Sequence, residues 1–231
     1  MEPLPSYVTV IFLLTVLATV GFLLYALWTG HRKRPLIYVS AAALGIWMYF
    51  QMYLAEIGFY STFDGKPRFL LAVAPALLLI ILLFLFRKTK EFLAAISLPA
   101  LTILSVVRIP VEFCIDQWYH AGLVPQLMTF EGRNFDIISG ITAPIVFFLA
   151  FRGGKINKPL LIGWNIVCLL LLINIVANAI VSIPSPIQLQ AFDRPNIAVL
   201  FYPFIWLPSV IVPAVLFTHL ASLWRLLLNR A

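Results

Sequence analysis

Charge is what this 231-residue sequence has least of. Only 11% of it is Asp, Glu, Lys or Arg, against 62% apolar residues. The mean hydropathy is +1.01. A soluble domain does not have that balance, and no polar stretch is long enough to hold one. Cysteine is also scarce. Cys114 and Cys168 both fall in apolar segments, where they read as small buried hydrophobes and not as a disulfide or a metal pair. Catalytic signatures are missing: there is no G-x-S-x-G, no H-E-x-x-H and no P-loop. No lysine lies within an apolar run, which excludes a retinal Schiff base. The start, Met1-Glu2-Pro3-Leu4-Pro5, lacks the basic segment of a cleavable signal peptide, so the first apolar run is expected to stay.

What the chain does have is apolar runs of membrane-spanning length. A bilayer core of ~30 Å needs about 20 helical residues per crossing. Seven runs approach that, near Tyr7–Trp28, Leu36–Gly58, Phe69–Phe86, Phe92–Phe113, Asp136–Phe151, Leu160–Ile183 and Tyr202–Leu228. The expected fold is all-α: a single polytopic seven-helix transmembrane domain over 1–231. Pro75, Pro99, Pro110, Pro144, Pro208 and Pro213 fall inside these runs. Kinks are expected mainly in the fourth and seventh helices.

The net charge of +7 reflects orientation and not nucleic acid, because the basic residues sit in short loops. His31-Arg32-Lys33-Arg34, Arg87-Lys88-Thr89-Lys90 and Arg152–Lys158, with Arg225 and Arg230, put eleven Lys/Arg on one face. The other face has four: Lys66, Arg68, Arg133 and Arg194. The positive-inside rule then places the N-terminus outside and the C-terminus in the cytoplasm. Apart from Glu91, the acidic residues gather at or toward the outside. Acidic residues do little to set topology, so an outward-facing site is one cause for that rim.

The stretch from Arg108 to Gly140 holds most of the candidate site. Arg108, Glu112, Asp116 and His120 follow one another at four-residue steps, so neighbours share a helix face. An ionisable residue at membrane depth is a functional-site hypothesis by default. With the fourth helix starting near Phe92, Arg108 is expected about 24 Å from its inner end, in the outer leaflet. Two readings stand for Arg108 and Glu112. They form an intramembrane ion pair, or Arg108 grips a phosphate or carboxylate with its fork while Glu112 orients it. Asp116 and His120 read as solvated outside the membrane, or as an oriented imidazole pair. No second His or Cys stands near, so no metal and no cofactor are expected.

Glu131-Gly132-Arg133-Asn134-Phe135-Asp136 reads either as a polar turn with Asp136 capping the fifth helix, or as a ligand loop lowered onto the pocket. Glu56 on the second helix reaches the same outer third. Asn174 and Asn178 on the sixth share one face and act as helix glue or as ligand groups. Asn165 and His219 are the polar residues expected deeper toward the cytoplasm.

At Arg108-Ile109-Pro110-Val111-Glu112-Phe113 the chain resembles prolipoprotein diacylglyceryl transferase, whose penultimate helix carries an R-x-x-V-E-F-like motif. Met128-Thr129-Phe130-Glu131-Gly132, leading into a further helix, extends the likeness to residues of about 85–150. The family's longer arginine–asparagine signature is not kept at its spacing, and two more helices follow here. That family moves diacylglyceryl from phosphatidylglycerol to a lipoprotein cysteine. The resemblance implies functional roles for Arg108 and Glu112 at a phospholipid headgroup on the outer leaflet. Across its length the chain otherwise resembles bacterial inner-membrane proteins. The expected function is therefore an outward-facing pocket for a small anionic or amphiphilic ligand, with membrane lipids as partners. An outer-leaflet transferase, or a transporter or accessory subunit, stands beside it.

Overall fold

The computed structural model describes residues 4–30, 34–86 and 89–228. The start Met1-Glu2-Pro3, the basic residues His31 to Lys33, Arg87 and Lys88, and Arg230 lie outside them. The described residues contain helices and turns but no strand. Long apolar segments with few breakers can satisfy every backbone group only as helices inside a bilayer.

The helices are α1 Ser6–Gly30, α2 Arg34–Glu56, α3 Leu70–Leu85, α4 Thr89–Ala95, α5 Leu98–Leu104, α6 Arg108–His120, α7 Ile137–Phe151, α8 Lys158–Ile180 and α9 Val212–Leu227. Six segments are long and apolar enough to cross a membrane, and a seventh if the bent pair α3–α4 counts as one. The axes of α3 and α4 stand at 99°. The protein is thus a multi-pass membrane helix bundle.

The fourth crossing begins later than its hydrophobicity predicts. Residues 89–95 form the separate α4, and Ser97 then caps a new helix, its Oγ accepting from Ala100 N, with Pro99 in the first turn. From Leu98 the chain is helical to His120, through a 3₁₀ turn at Ser105–Val107. Pro110 has no N–H for the carbonyl of Val106, so the tightening falls directly before Arg108. Arg108 is therefore ten residues, about 15 Å, from the helix start and near its middle, where a start near Phe92 would put it sixteen residues in.

The seventh crossing starts at Leu207, not Tyr202, and opens with a π-type segment Leu207–Ile211 that carries Pro208 and leads to Pro213. Both proline-bearing helices singled out for kinks thus depart from α geometry. The helix 98–120 is the central one and is mostly buried, whereas α2 is mostly exposed and stands at the periphery. The core near its His120 end is aromatic. Trp118 packs on Phe12 and Phe204 with ring centroids 5.5 and 4.5 Å away.

Candidate functional site

The α7 helix has only 15 residues, and the reason lies in the segment before it. Gly140 lies flush on the central helix. A Cβ there would come within 2.8 Å of Ile109 Cγ1 and 3.3 Å of Arg108 Cβ. Because α7 runs antiparallel to α6, its first residue sits level with Glu112, not with His120. The chain from Ala121 to Asp136 therefore dips about 12 Å into the bundle, eight residues' rise. Gly132 makes the tight fold possible, since a Cβ would strike the backbone of Gln126 and Leu127.

Irregular backbone at such depth must be satisfied by the protein itself. Asn134, fully buried, does this. Its Nδ2 donates to Met128 O at 2.9 Å and to Glu112 Oε2 at 2.6 Å, and its Oδ1 accepts from Asp136 N at 3.1 Å. Asp136 is left to face the central helix. It begins α7 but makes no side-chain cap; its Oδ1 accepts from Arg108 Nη1 at 2.5 Å. The expected cap at Asp136 is thus replaced by a buried ion pair. Of the two readings of Arg108 and Glu112, the direct pair does not form: Arg108 turns to Asp136, and Glu112 turns to Asn134.

The second arm of Arg108 reaches α9. Its Nη2 lies 3.2 Å from His219 Nε2, and His219 Nδ1 lies 2.8 Å from Asn165 Oδ1. Arginine can only donate, so Nε2 accepts and the proton sits on Nδ1. That proton goes to Asn165 Oδ1, while Asn165 Nδ2 donates to Leu161 O at 2.8 Å. Every proton in the chain from Leu161 to Asp136 is thereby assigned, with a neutral imidazole. Arg108, His219 and Asn165 are 2, 1 and 1% exposed, so the network is closed off from the surface. Asn165 and His219, set apart as deep polar residues by the sequence, belong to one unit with Arg108.

The carboxylate end of this network borders a cavity of about 80 Å³. Glu112, Asp136 and Asn196 are its polar groups. The rest is apolar, from Val73 and Met128 to Ile175 and Leu207. Asn196 is fully buried, and its Oδ1 has no hydrogen-bond partner among the described residues. The returning segment after α8 carries it there. Asn196 N donates to Ser182 O at 2.9 Å, and Ile197 and Ala198 N both donate to Leu123 O. Nothing in the sequence marked Asn196, because it lies in an irregular segment with no period to place it.

The other candidates divide. Asn174 Nδ2 donates to Arg133 O at 2.7 Å, and Gln190 Nε2 donates to Asn178 Oδ1 at 3.0 Å. The two amides therefore hold loops to α8 and do not glue helices together. Arg133 and Glu131 are exposed beyond the cavity. Asp116 and His120 lie 3.7 Å apart with side chains 47 and 66% exposed, toward the last turn of α6. Glu56 is exposed on α2 and does not join the network. On α2 it is Gln51 that is buried, accepting from Tyr60 Oη. Burial raises the pKa of the Tyr60 hydroxyl above its ordinary value, which keeps it a donor. Among the described residues no group of three or more His, Cys, Asp or Glu could hold a metal ion.

Span-length helices around a buried Arg–Asp–His network, with a carboxylate-lined cavity at one end, define a multi-pass membrane protein with an internal polar site. Residues 68–227 match the family described as Domain of unknown function (DUF8737), and the chain belongs to that family. The match takes in α3 to α9, and with them every residue of the network. No curated protein and no solved structure matches the chain.

Proposed function

We propose that this is a bacterial inner-membrane protein of seven crossings that binds a small amphiphile in the cavity beside Glu112. The bent pair α3–α4 counts as one crossing, the N-terminus is outside and the C-terminus is cytoplasmic. The excess of Lys/Arg on the Gly30 face supports that orientation, and the cavity then belongs to the outer half of the membrane.

One observation carries the ligand class. Three acceptor-bearing side chains, Glu112, Asp136 and Asn196, meet in an otherwise apolar cavity, and Asn196 Oδ1 is unpartnered. Such walls suit a hydrocarbon body with a compact head that donates hydrogen bonds, such as a primary ammonium or a hydroxyl. A water-sized sphere occupies about 10–15 Å³ of such volume, so the cavity takes a head of a few heavy atoms. Of the expected anionic and amphiphilic ligands, the amphiphile is favoured. Arg108 does not line the cavity, and its two arms are engaged on Asp136 and His219.

Thermal unfolding of the purified protein with matched lipids tests this. An aminophospholipid is expected to raise Tm, and its N-trimethylated counterpart, which has no N–H, is not. Glu112→Gln and Asn196→Leu should each remove the shift. Equal shifts from the two lipids, or a shift unchanged in both variants, would sink the proposal. A shift by an anionic lipid that disappears in Glu112→Gln would return the site to the anionic reading.

A further inference from the structure

A second and larger cavity, about 360 Å³, lies on the opposite side of the π-type segment, between α1, α2, α3 and α9. Its walls run from Thr19 to Leu27 on α1, from Pro75 to Leu83 on α3 and from Ser209 to Phe217 at the start of α9. Each wall is eight residue steps, so the slot is about 12 Å long and parallel to the helices. That is close to the depth of one leaflet of a ~30 Å core.

Of the three hydroxyl residues along it, Thr19, Ser40 and Ser209, two are already spent. Thr19 Oγ1 donates to Thr15 O at 2.8 Å and Ser209 Oγ donates to Ile205 O at 2.8 Å. The indole of Trp47, also in the lining, donates to Ser209 O at 2.9 Å. Apart from Ser40 on α2, what remains facing the slot is hydrocarbon, which recognises hydrocarbon and not a head. One end is floored by Phe92 of α4, two residues from Lys90. The slot therefore ends at the face where the sequence collects its excess of Lys/Arg. Basic residues at a membrane surface attract anionic lipid heads.

We propose that this slot holds one acyl chain of an anionic phospholipid, drawn from the leaflet at the Lys90 end, with its phosphate at that basic rim. The site is separate from the cavity at Glu112 and takes the opposite head charge.

Native mass spectrometry after exchange into mixed phosphatidylglycerol and phosphatidylcholine of identical chains tests it. Wild type is expected to retain phosphatidylglycerol at least tenfold over phosphatidylcholine. Ala76→Phe and Ala214→Phe, which fill the slot from α3 and α9, should cut retention at least tenfold. Ala43→Phe on the peripheral α2 does the same where a core variant fails to fold. Lys90→Glu should lower the preference for the anionic head, and Glu112→Gln should leave retention unchanged. Equal retention of the two lipids by wild type, or unchanged retention in folded slot-filling variants, overturns the proposal. Loss of retention in Glu112→Gln would assign the lipid to the other cavity and overturn it too.

Discussion

Arg108 and Asp136 are 28 residues apart in sequence and 2.5 Å apart in the fold, with side chains 3 and 8% exposed. This pair locks the segment Ala121–Asp136 into the bundle. An arginine near the middle of a transmembrane helix needs a partner, because its charge cannot be lost and cannot be solvated there. The partner is brought by α7, which starts low because the loop before it has descended.

Removing either partner should leave an uncompensated buried charge. Arg108→Met and Asp136→Leu are each expected to lower stability by about 3–5 kcal/mol. The double variant Arg108→Met/Asp136→Leu should recover most of the loss. The double variant Arg108→Met/Glu112→Gln should not, because Glu112 is bound to Asn134. Reversible unfolding in detergent measures all four. Recovery with Glu112→Gln in place of Asp136→Leu would mean that the ion pair is wrongly assigned.

Asn134 should behave as the anchor of the descending loop. Asn134→Ala removes the partners of Met128 O, Asp136 N and Glu112 Oε2 together. Each buried polar group left unsatisfied costs about 1–3 kcal/mol, so the variant should be among the least stable in the loop. Hydrogen exchange is expected to speed up at residues 127–136 before it does in α6. Uniform acceleration through α6 and α7 would argue that the loop has no separate anchor.

The membrane class and most helices were legible because apolar length is local. The candidate site was legible only as membership. Arg108, Glu112, Asn134 and Asp136 were all singled out, yet the one ion pair open to the sequence was Arg108 with Glu112, one of two readings there, since spacing shows only neighbours on the same helix. The start of the Arg108 helix was placed near Phe92 because Phe92 to Ile96 is as apolar as a span. The break there depends on Ser97 and Pro99, a cap hidden inside a continuous hydrophobic run. His219 and Asn165 were visible as polar residues in apolar runs, but only the packing of α8 on α9 shows that they meet.

Orientation is open to a direct test. Reporter fusions after Lys90 and Lys158 are expected to read cytoplasmic, and one after Gly65 external, following the eleven-to-four division of Lys/Arg. Opposite signals at all three would invert the protein and move the Glu112 cavity to the cytoplasmic half. An external signal after Lys90 alone would show that α3 and α4 do not make one crossing.

The loop after α2 carries a pH-dependent pair. Asp64 accepts from Arg68 Nη2 at 2.6 Å and from Nε at 3.1 Å, and this bidentate bond lowers its pKa to about 2. The folded value lies below the unfolded one, so the linked stability is present above the ordinary carboxylate range and fades as pH falls through about 2. A carboxyl titration of selectively labelled protein should find Asp64 ionised at pH 3, and Arg68→Met should return it to the ordinary range. No difference between wild type and Arg68→Met would show that the pair does not form in solution.

The peripheral α2 is tied to the start of α9 by two indoles pointing in opposite directions. Trp47 Nε1 donates to Ser209 O at 2.9 Å, and Trp206 Nε1 donates to Met48 O at 3.0 Å. The two bonds differ in what they leave behind. Ser209 O lies in the π-type segment four residues before Pro213, whose missing N–H rules out an α-type ladder bond to it, and Trp47 supplies a donor there. Met48 O lies within the regular helix α2, where the ladder already supplies a donor. Interhelical hydrogen bonds in membranes average about 0.6 kcal/mol. Trp206→Phe should cost about that much, and Trp47→Phe should cost more, because it leaves a carbonyl short of a donor in an apolar slot. With so little of α2 buried, Trp47→Phe should also detach it, and hydrogen exchange at residues 43–52 should accelerate while α9 beyond Val215 stays protected. Equal costs for the two variants would show that Pro213 leaves no carbonyl in need, and that the two bonds are ordinary tethers.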